Sequence, residues 1–102
     1  MTGSEYGDKI LNELEKKGQM VARAIAFATK AHEGQFRKGT KRPYIVHPLE
    51  VGEIVATLTF DEEIISAALL HDTIEDCQGI TREVLAREFS ERVAALVAQE
   101  SE

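Results

Sequence analysis

The chain has 102 residues, 43% of them hydrophobic and 29% charged, with a formal net charge of −6. That is the length of one small domain, 1–102, with enough apolar residues for a core. It is too acidic for general nucleic-acid binding, which needs a basic face. No apolar run approaches the roughly 18 residues of a membrane-spanning helix, Met1–Gly7 shows no secretory pattern, and the single Cys77 excludes an internal disulfide or a multi-cysteine zinc site. The expected setting is the cytoplasm, with no nucleic acid and no membrane as partner.

The periodicity is helical throughout, and no strand-like alternation survives. Residues 8–17 predict a short amphipathic helix, with Ile10, Leu11 and Leu14, stopped at Gly18. Residues 19–33 place Val21, Ala24, Ile25, Ala28 and Ala31 at three- and four-residue steps, one apolar face ended by Gly34. Residues 34–46 are expected to form a loop. Within it Arg37, Lys38, Lys41 and Arg42 gather four cations in six residues. Such a basic segment on an acidic body suits an anion.

Pro48 suits the start of a helix over 48–59, expected to bury Leu49, Ile54, Val55 and Leu58. Asp61 reads as an N-cap followed by Glu62 and Glu63, opening a helix to about Cys77 that Gly79 breaks. Thr81 and Ser90 cap two further helices, the last with Val93, Leu96 and Val97 on one face. The fold class is therefore all-α, a bundle of about five to six helices. The last helix runs to Glu102 without a Gly, Asn or Pro stop, so the chain reads as the N-terminal portion of a longer domain. A bundle lacking helices leaves apolar surface open, which favours homo-oligomers.

The helix over 61–77 carries the chemistry. At 100° per residue from Ile64, the stripe begun by Ile64, Ala68, Ile65 and Leu69 continues as His71, Asp72, Glu75 and Asp76. Carboxylates and an imidazole directed inward are costly without a cation, so the pattern points to a bound metal. His71 and Asp72 are adjacent and suit one ion. Glu75 and Asp76, one turn on, suit acid–base work on an attacking water. The mixed imidazole–carboxylate set fits manganese, iron, zinc or magnesium. His47, beside Pro48, is a further candidate ligand. His32 reads as a supporting residue and Cys77 as a small buried thiol.

Three motifs together resemble a known family. Ala31-His32-Glu33-Gly34-Gln35-Phe36-Arg37-Lys38-Gly39-Thr40, then Pro43-Tyr44-Ile45-Val46-His47-Pro48-Leu49, then Ala67-Ala68-Leu69-Leu70-His71-Asp72-Thr73-Ile74-Glu75-Asp76 are similar to the RelA/SpoT-type alarmone hydrolase domain of the HD superfamily. The resemblance covers about residues 20–97. It implies an all-helical HD bundle and a manganese-dependent removal of the 3′-pyrophosphate of guanosine tetra- or pentaphosphate. It implies His47, His71 and Asp72 as metal ligands, Glu75 and Asp76 as the pair acting on the attacking water, and Arg37 and Lys38 as nucleotide contacts.

Two departures accompany it. The loop through Gly39-Thr40-Lys41-Arg42 is longer than in the large bifunctional enzymes and nearer to small stand-alone relatives. The family's fourth metal ligand is a later aspartate, which no residue up to Glu102 supplies, so the chain alone is expected to bind metal weakly and turn over poorly. Two other readings remain open: an HD phosphohydrolase of another nucleotide or phosphoester, and a non-catalytic nucleotide-sensing or interaction module.

Overall fold

The computed structural model describes residues 18–36, 39, 41–77 and 79–100. The expected helix over 8–17 and the pair Arg37 and Lys38 lie outside the described residues. Six helices follow one another: α1 (Gln19–Ala31), α2 (Val46–Leu58), α3 (Glu62–Leu70), the short α4 (Thr73–Asp76), α5 (Arg82–Glu88) and α6 (Glu91–Glu100). The only extended pairing among the described residues is a single bridge, Phe36 with Pro43, across the loop between α1 and α2.

α3 is the central element, packed on α1, α2 and α6. Its Ile65, Leu69 and Leu70 are fully buried, against Val21, Ala24 and Ala28 from α1, Leu85 from α5, and Val93, Ala94 and Val97 from α6. Fully burying one aliphatic side chain stabilises the fold by about 1.5–3 kcal/mol. The interior faces read from α1 and α6 are thus the faces that pack.

Local chemistry sets the helix ends. The Asp61 carboxylate accepts from the backbone N–H groups of Glu63 and Ile64, and the Thr81 hydroxyl accepts from Val84. The Ser90 hydroxyl oxygen accepts from Val93 at the start of α6. These are the three caps expected from the sequence. The N-terminus of α1 has no side-chain cap of its own. Instead, Glu62 reaches across from α3 and accepts from the Met20 N–H at 3.2 Å. Gly18 makes room for it: its φ is +143°, and a Cβ there would collide with the Glu62 carboxylate.

Three expectations need correction. α2 begins at Val46, two residues before Pro48, and buries Pro48, Leu49, Gly52 and Ala56. Ile54 and Leu58 are 63% and 80% exposed. α2 carries apolar residues around most of its circumference, and its small residues let it approach α3 closely, so apolar spacing alone picks the wrong face. Ile64, the origin of the expected inward stripe, is at the surface, while its neighbour Ile65 is fully buried. The helix expected over 61–77 is broken. α3 stops at Leu70, His71 and Asp72 form a turn, and α4 restarts at Thr73. Asp72 has φ −93° and ψ −5°, the bridge region where a helix pauses, and the buried Thr73 hydroxyl donates to the Leu70 carbonyl at 2.7 Å.

Candidate metal centre

The break delivers His71 and Asp72 from the C-terminal end of α3, and the first turn of α2 delivers His47 from the opposite side. His47 Nε2 lies 3.7 Å and His71 Nε2 lies 3.1 Å from the same oxygen, Asp72 Oδ2. One ligand atom from each of the three residues lies within 4.8 Å of the others, and all three side chains are partly buried. The imidazole centroids are 5.5 Å apart and the rings stand at 66°.

Hydrogen bonding shows what this arrangement can hold. His71 Nδ1 lies 2.6 Å from the carbonyl oxygen of Ala68. A carbonyl only accepts, so Nδ1 carries the proton. In the neutral ring Nε2 then presents its lone pair to a carboxylate oxygen, lone pair against lone pair. A cation between the two turns that repulsion into attraction. An imidazole held through its outer N–H by a backbone carbonyl is also the usual support of a metal-ligating histidine. Two imidazoles and one carboxylate, with no thiolate, fit a divalent ion of the borderline or hard class.

Asp72 has a further partner that the sequence reading does not single out. The Tyr44 hydroxyl donates to Asp72 Oδ2 at 2.7 Å. Burial, and then this hydrogen bond to the carboxylate, push the phenol well above its ordinary range, so it remains a proton donor at neutral pH. The Tyr44 ring lies between the rings of His32 (centroids 4.7 Å apart) and His47 (6.0 Å). A clue lies in the interval of three residues from Tyr44 to His47, which lets one tight turn carry both side chains to the same place.

His32 is buried, as expected of a supporting residue, with Nδ1 2.9 Å from Gln35 Oε1. Gln35 in turn donates to the backbone carbonyl of Asp76 at 3.0 Å, tying the loop after α1 to α4. Cys77 is a free, buried thiol, and burial raises its pKa.

Glu75 and Asp76 are not part of the three-residue group. Both are exposed on α4, which corrects the expectation that they line an inward stripe. Asp76 nonetheless follows Asp72 by one helical turn, its N–H donating to the Asp72 carbonyl at 2.9 Å, and its carboxylate is among the groups that raise the Tyr44 phenol. The earlier part of that stripe does share one surface. Ile64, Ala68 and His71 border a cleft of about 390 Å³, closed on its other sides by Val51, Val55, Ala67, Leu96 and Gln99. His71 therefore links the metal group to an apolar cleft. Of the basic loop, Lys41 and Arg42 are described and exposed, and Arg42 donates to Glu50 at 3.3 Å.

Comparison with known proteins identifies the family. The HD domain family model matches residues 24–102. The chain is 46% identical over 90 residues to a guanosine-3′,5′-bis(diphosphate) 3′-pyrophosphohydrolase of Aquifex aeolicus, covering 88% of the chain and 13% of that protein. It is 51% identical over 70 residues to a protein of the same name from Haemophilus influenzae, covering 69% of the chain and 10% of the relative. A GTP pyrophosphokinase of Myxococcus xanthus is 46% identical over 78 residues, covering 76% and 10%. The chain thus spans 10–13% of the length of these relatives.

Proposed function

The chain belongs to the HD domain family, and from that premise we propose that it forms the metal-binding part of a phosphohydrolase that removes the 3′-pyrophosphate of a guanosine polyphosphate. The observation that carries this reading is the convergence of His47, His71 and Asp72. These three residues would hold a divalent ion, with manganese the assignment that the family resemblance favours. When bound, such an ion supplies positive charge for phosphoryl oxygens and lowers the pKa of an attacking water.

The chain's own residues do the rest. Glu75 and Asp76, displayed on α4 just after Asp72, orient the water and take its proton as its oxygen attacks phosphorus. The ribose 3′ oxygen leaves with the electrons of the broken P–O bond and takes up a proton to become the 3′ hydroxyl, and pyrophosphate is released. Arg37 and Lys38 contact the nucleotide, and Lys41 and Arg42 add positive charge to the same loop, which balances a substrate dense in phosphate. Relatives named as hydrolases support this substrate class. Among the described residues no helix is long and apolar enough to cross a membrane, and a cytoplasmic setting accords with a nucleotide substrate.

The test is pyrophosphate release from guanosine 3′,5′-bis(diphosphate) with manganese, measured for this chain and for one continued to the length of its relatives. The longer protein is expected to release pyrophosphate and to lose that activity in His71→Ala. The 102-residue chain is expected to turn over far more slowly. Comparable turnover by both would show that the residues present here suffice. No release by either, or full activity in His71→Ala, would overturn the assignment.

A further inference from the structure

An aspartate beside two imidazoles has a freedom that a metal site must remove. Rotation about the terminal carboxylate bond is broad and roughly two-fold, so nothing intrinsic to Asp72 decides which oxygen faces His47 and His71. Among the described residues, the Tyr44 hydroxyl makes that choice: it donates at 2.7 Å to Oδ2, the same oxygen that lies 3.1 Å from His71 Nε2 and 3.7 Å from His47 Nε2. Resting on the proposed metal site, we infer that Tyr44 is a positioning residue, which orients the Asp72 carboxylate so that a single divalent ion is shared among Asp72, His47 and His71.

The surroundings of Tyr44 suit that task. Its backbone N–H donates to the Gln35 carbonyl at 2.8 Å, and its carbonyl accepts from the His47 N–H at 3.0 Å. The main chain at Tyr44 is therefore pinned both to the loop after α1 and to the start of α2. The ring rests on the buried His32 at 4.7 Å and meets the edge of His47 at 6.0 Å. One turn thus positions a ligand directly, through His47, and a second ligand indirectly, through the phenol. The hydroxyl makes the hydrogen bond to Asp72 while the ring packs on His32 and His47, so removing the oxygen alone separates the two contributions.

The experiment compares the chain continued to the length of its relatives with its Tyr44→Phe and Asp72→Asn variants. Manganese binding is measured by titration calorimetry with the metal alone, and the melting temperature is measured in chelator. Visible spectra of the cobalt-substituted chain report the ligand field. Tyr44→Phe keeps the ring and removes one oxygen. It is expected to weaken manganese binding by about tenfold, the low end for loss of a group that orients a ligand, to alter the cobalt bands, and to leave the metal-free melting temperature unchanged. Unchanged affinity in Tyr44→Phe, with binding lost in Asp72→Asn, overturns the role of Tyr44 and leaves the metal site standing. A melting temperature that falls in Tyr44→Phe without a change in the cobalt bands makes the residue merely structural and also overturns it. If the unaltered chain takes up no manganese, or Asp72→Asn binds as well as it does, the metal site itself fails and this inference fails with it.

Discussion

The two ends of α3 use acidic residues in opposite ways. At the N-terminal end, Asp61 and Glu63 are matched by a full positive charge: Arg92 donates to Asp61 at 2.7 Å and to Glu63 at 3.2 Å, and Ser90 donates to Glu63 at 2.6 Å. Asp61 also takes two helix N–H groups. At the C-terminal end, the Asp72 carboxylate faces two imidazoles and a phenol, with no lysine or arginine among the partners just described. At one end two carboxylates share one guanidinium, and that network fastens α6 to α3. At the other, a divalent ion held in the proposed site would supply the positive charge. Acidic residues paired with a guanidinium hold a fold together; one that converges on imidazoles marks a candidate site.

The sharpest way to break this contrast is to neutralise each end in turn. Asp72→Asn removes a ligand and leaves the packing as it is. Manganese affinity is expected to fall by more than about a hundredfold, a larger loss than for a residue that only orients a ligand. The metal-free melting temperature is expected to change little, because an amide nitrogen that donates to His71 Nε2 replaces the oxygen that accepts from the Tyr44 hydroxyl, one hydrogen bond for another. A substantial fall in metal-free stability would show that the C-terminal end is structural too. Calorimetric titration and thermal unfolding of the same sample check both halves.

Asp61→Ala is the mirror experiment, with a smaller effect. It removes an N-cap and the closest partner of Arg92, so the melting temperature is expected to drop by a few degrees. Manganese affinity should be unchanged, since α3 separates Asp61 from the metal group. Loss of affinity here would mean that the two ends are coupled along the helix, and the division of labour would fail.

The N-terminal end was the more legible in sequence. An Asp followed by two glutamates and an apolar run is a local signal, and local signals survive folding: Asp61, Thr81 and Ser90 all cap as expected. The existence of a polar group at His71 and Asp72 was legible too, because charge on an otherwise apolar stripe stands out. Its geometry was not. Periodicity carries no information about the pause at Asp72, which depends on a buried Thr73 hydroxyl competing for the Leu70 carbonyl. Nor could spacing decide that Leu58 is exposed while Ala56 is buried, because α2 offers more than one apolar face and its partner chooses between them. Tyr44 carries no local signal of its role: only the fold brings Asp72, 28 positions away, within reach of its hydroxyl.

The smallest expected effect is a dependence on pH confined to the N-terminal end. The hydrogen bond from Arg92 chiefly, aided by the N–H groups of Glu63 and Ile64 and opposed by partial burial, holds the Asp61 carboxyl below the usual carboxylate range. A carboxyl whose pKa is lower in the folded than in the unfolded chain stabilises the fold at pH values above the unfolded pKa, about 3.9 for aspartate. That contribution disappears as the pH falls through the folded value. Arg92→Ala removes the main cause of the shift, so the variant should melt slightly below the unaltered chain at pH 7, and the gap should close as the pH is lowered toward about 3. Because the pair is exposed, added salt should also narrow the gap at neutral pH. Melting curves of the two metal-free proteins across this range provide the measurement. A gap that stays constant into acid, or widens, would show that Arg92 acts through the packing of its aliphatic stem rather than through its charge, and the N-terminal pairing would not be electrostatic.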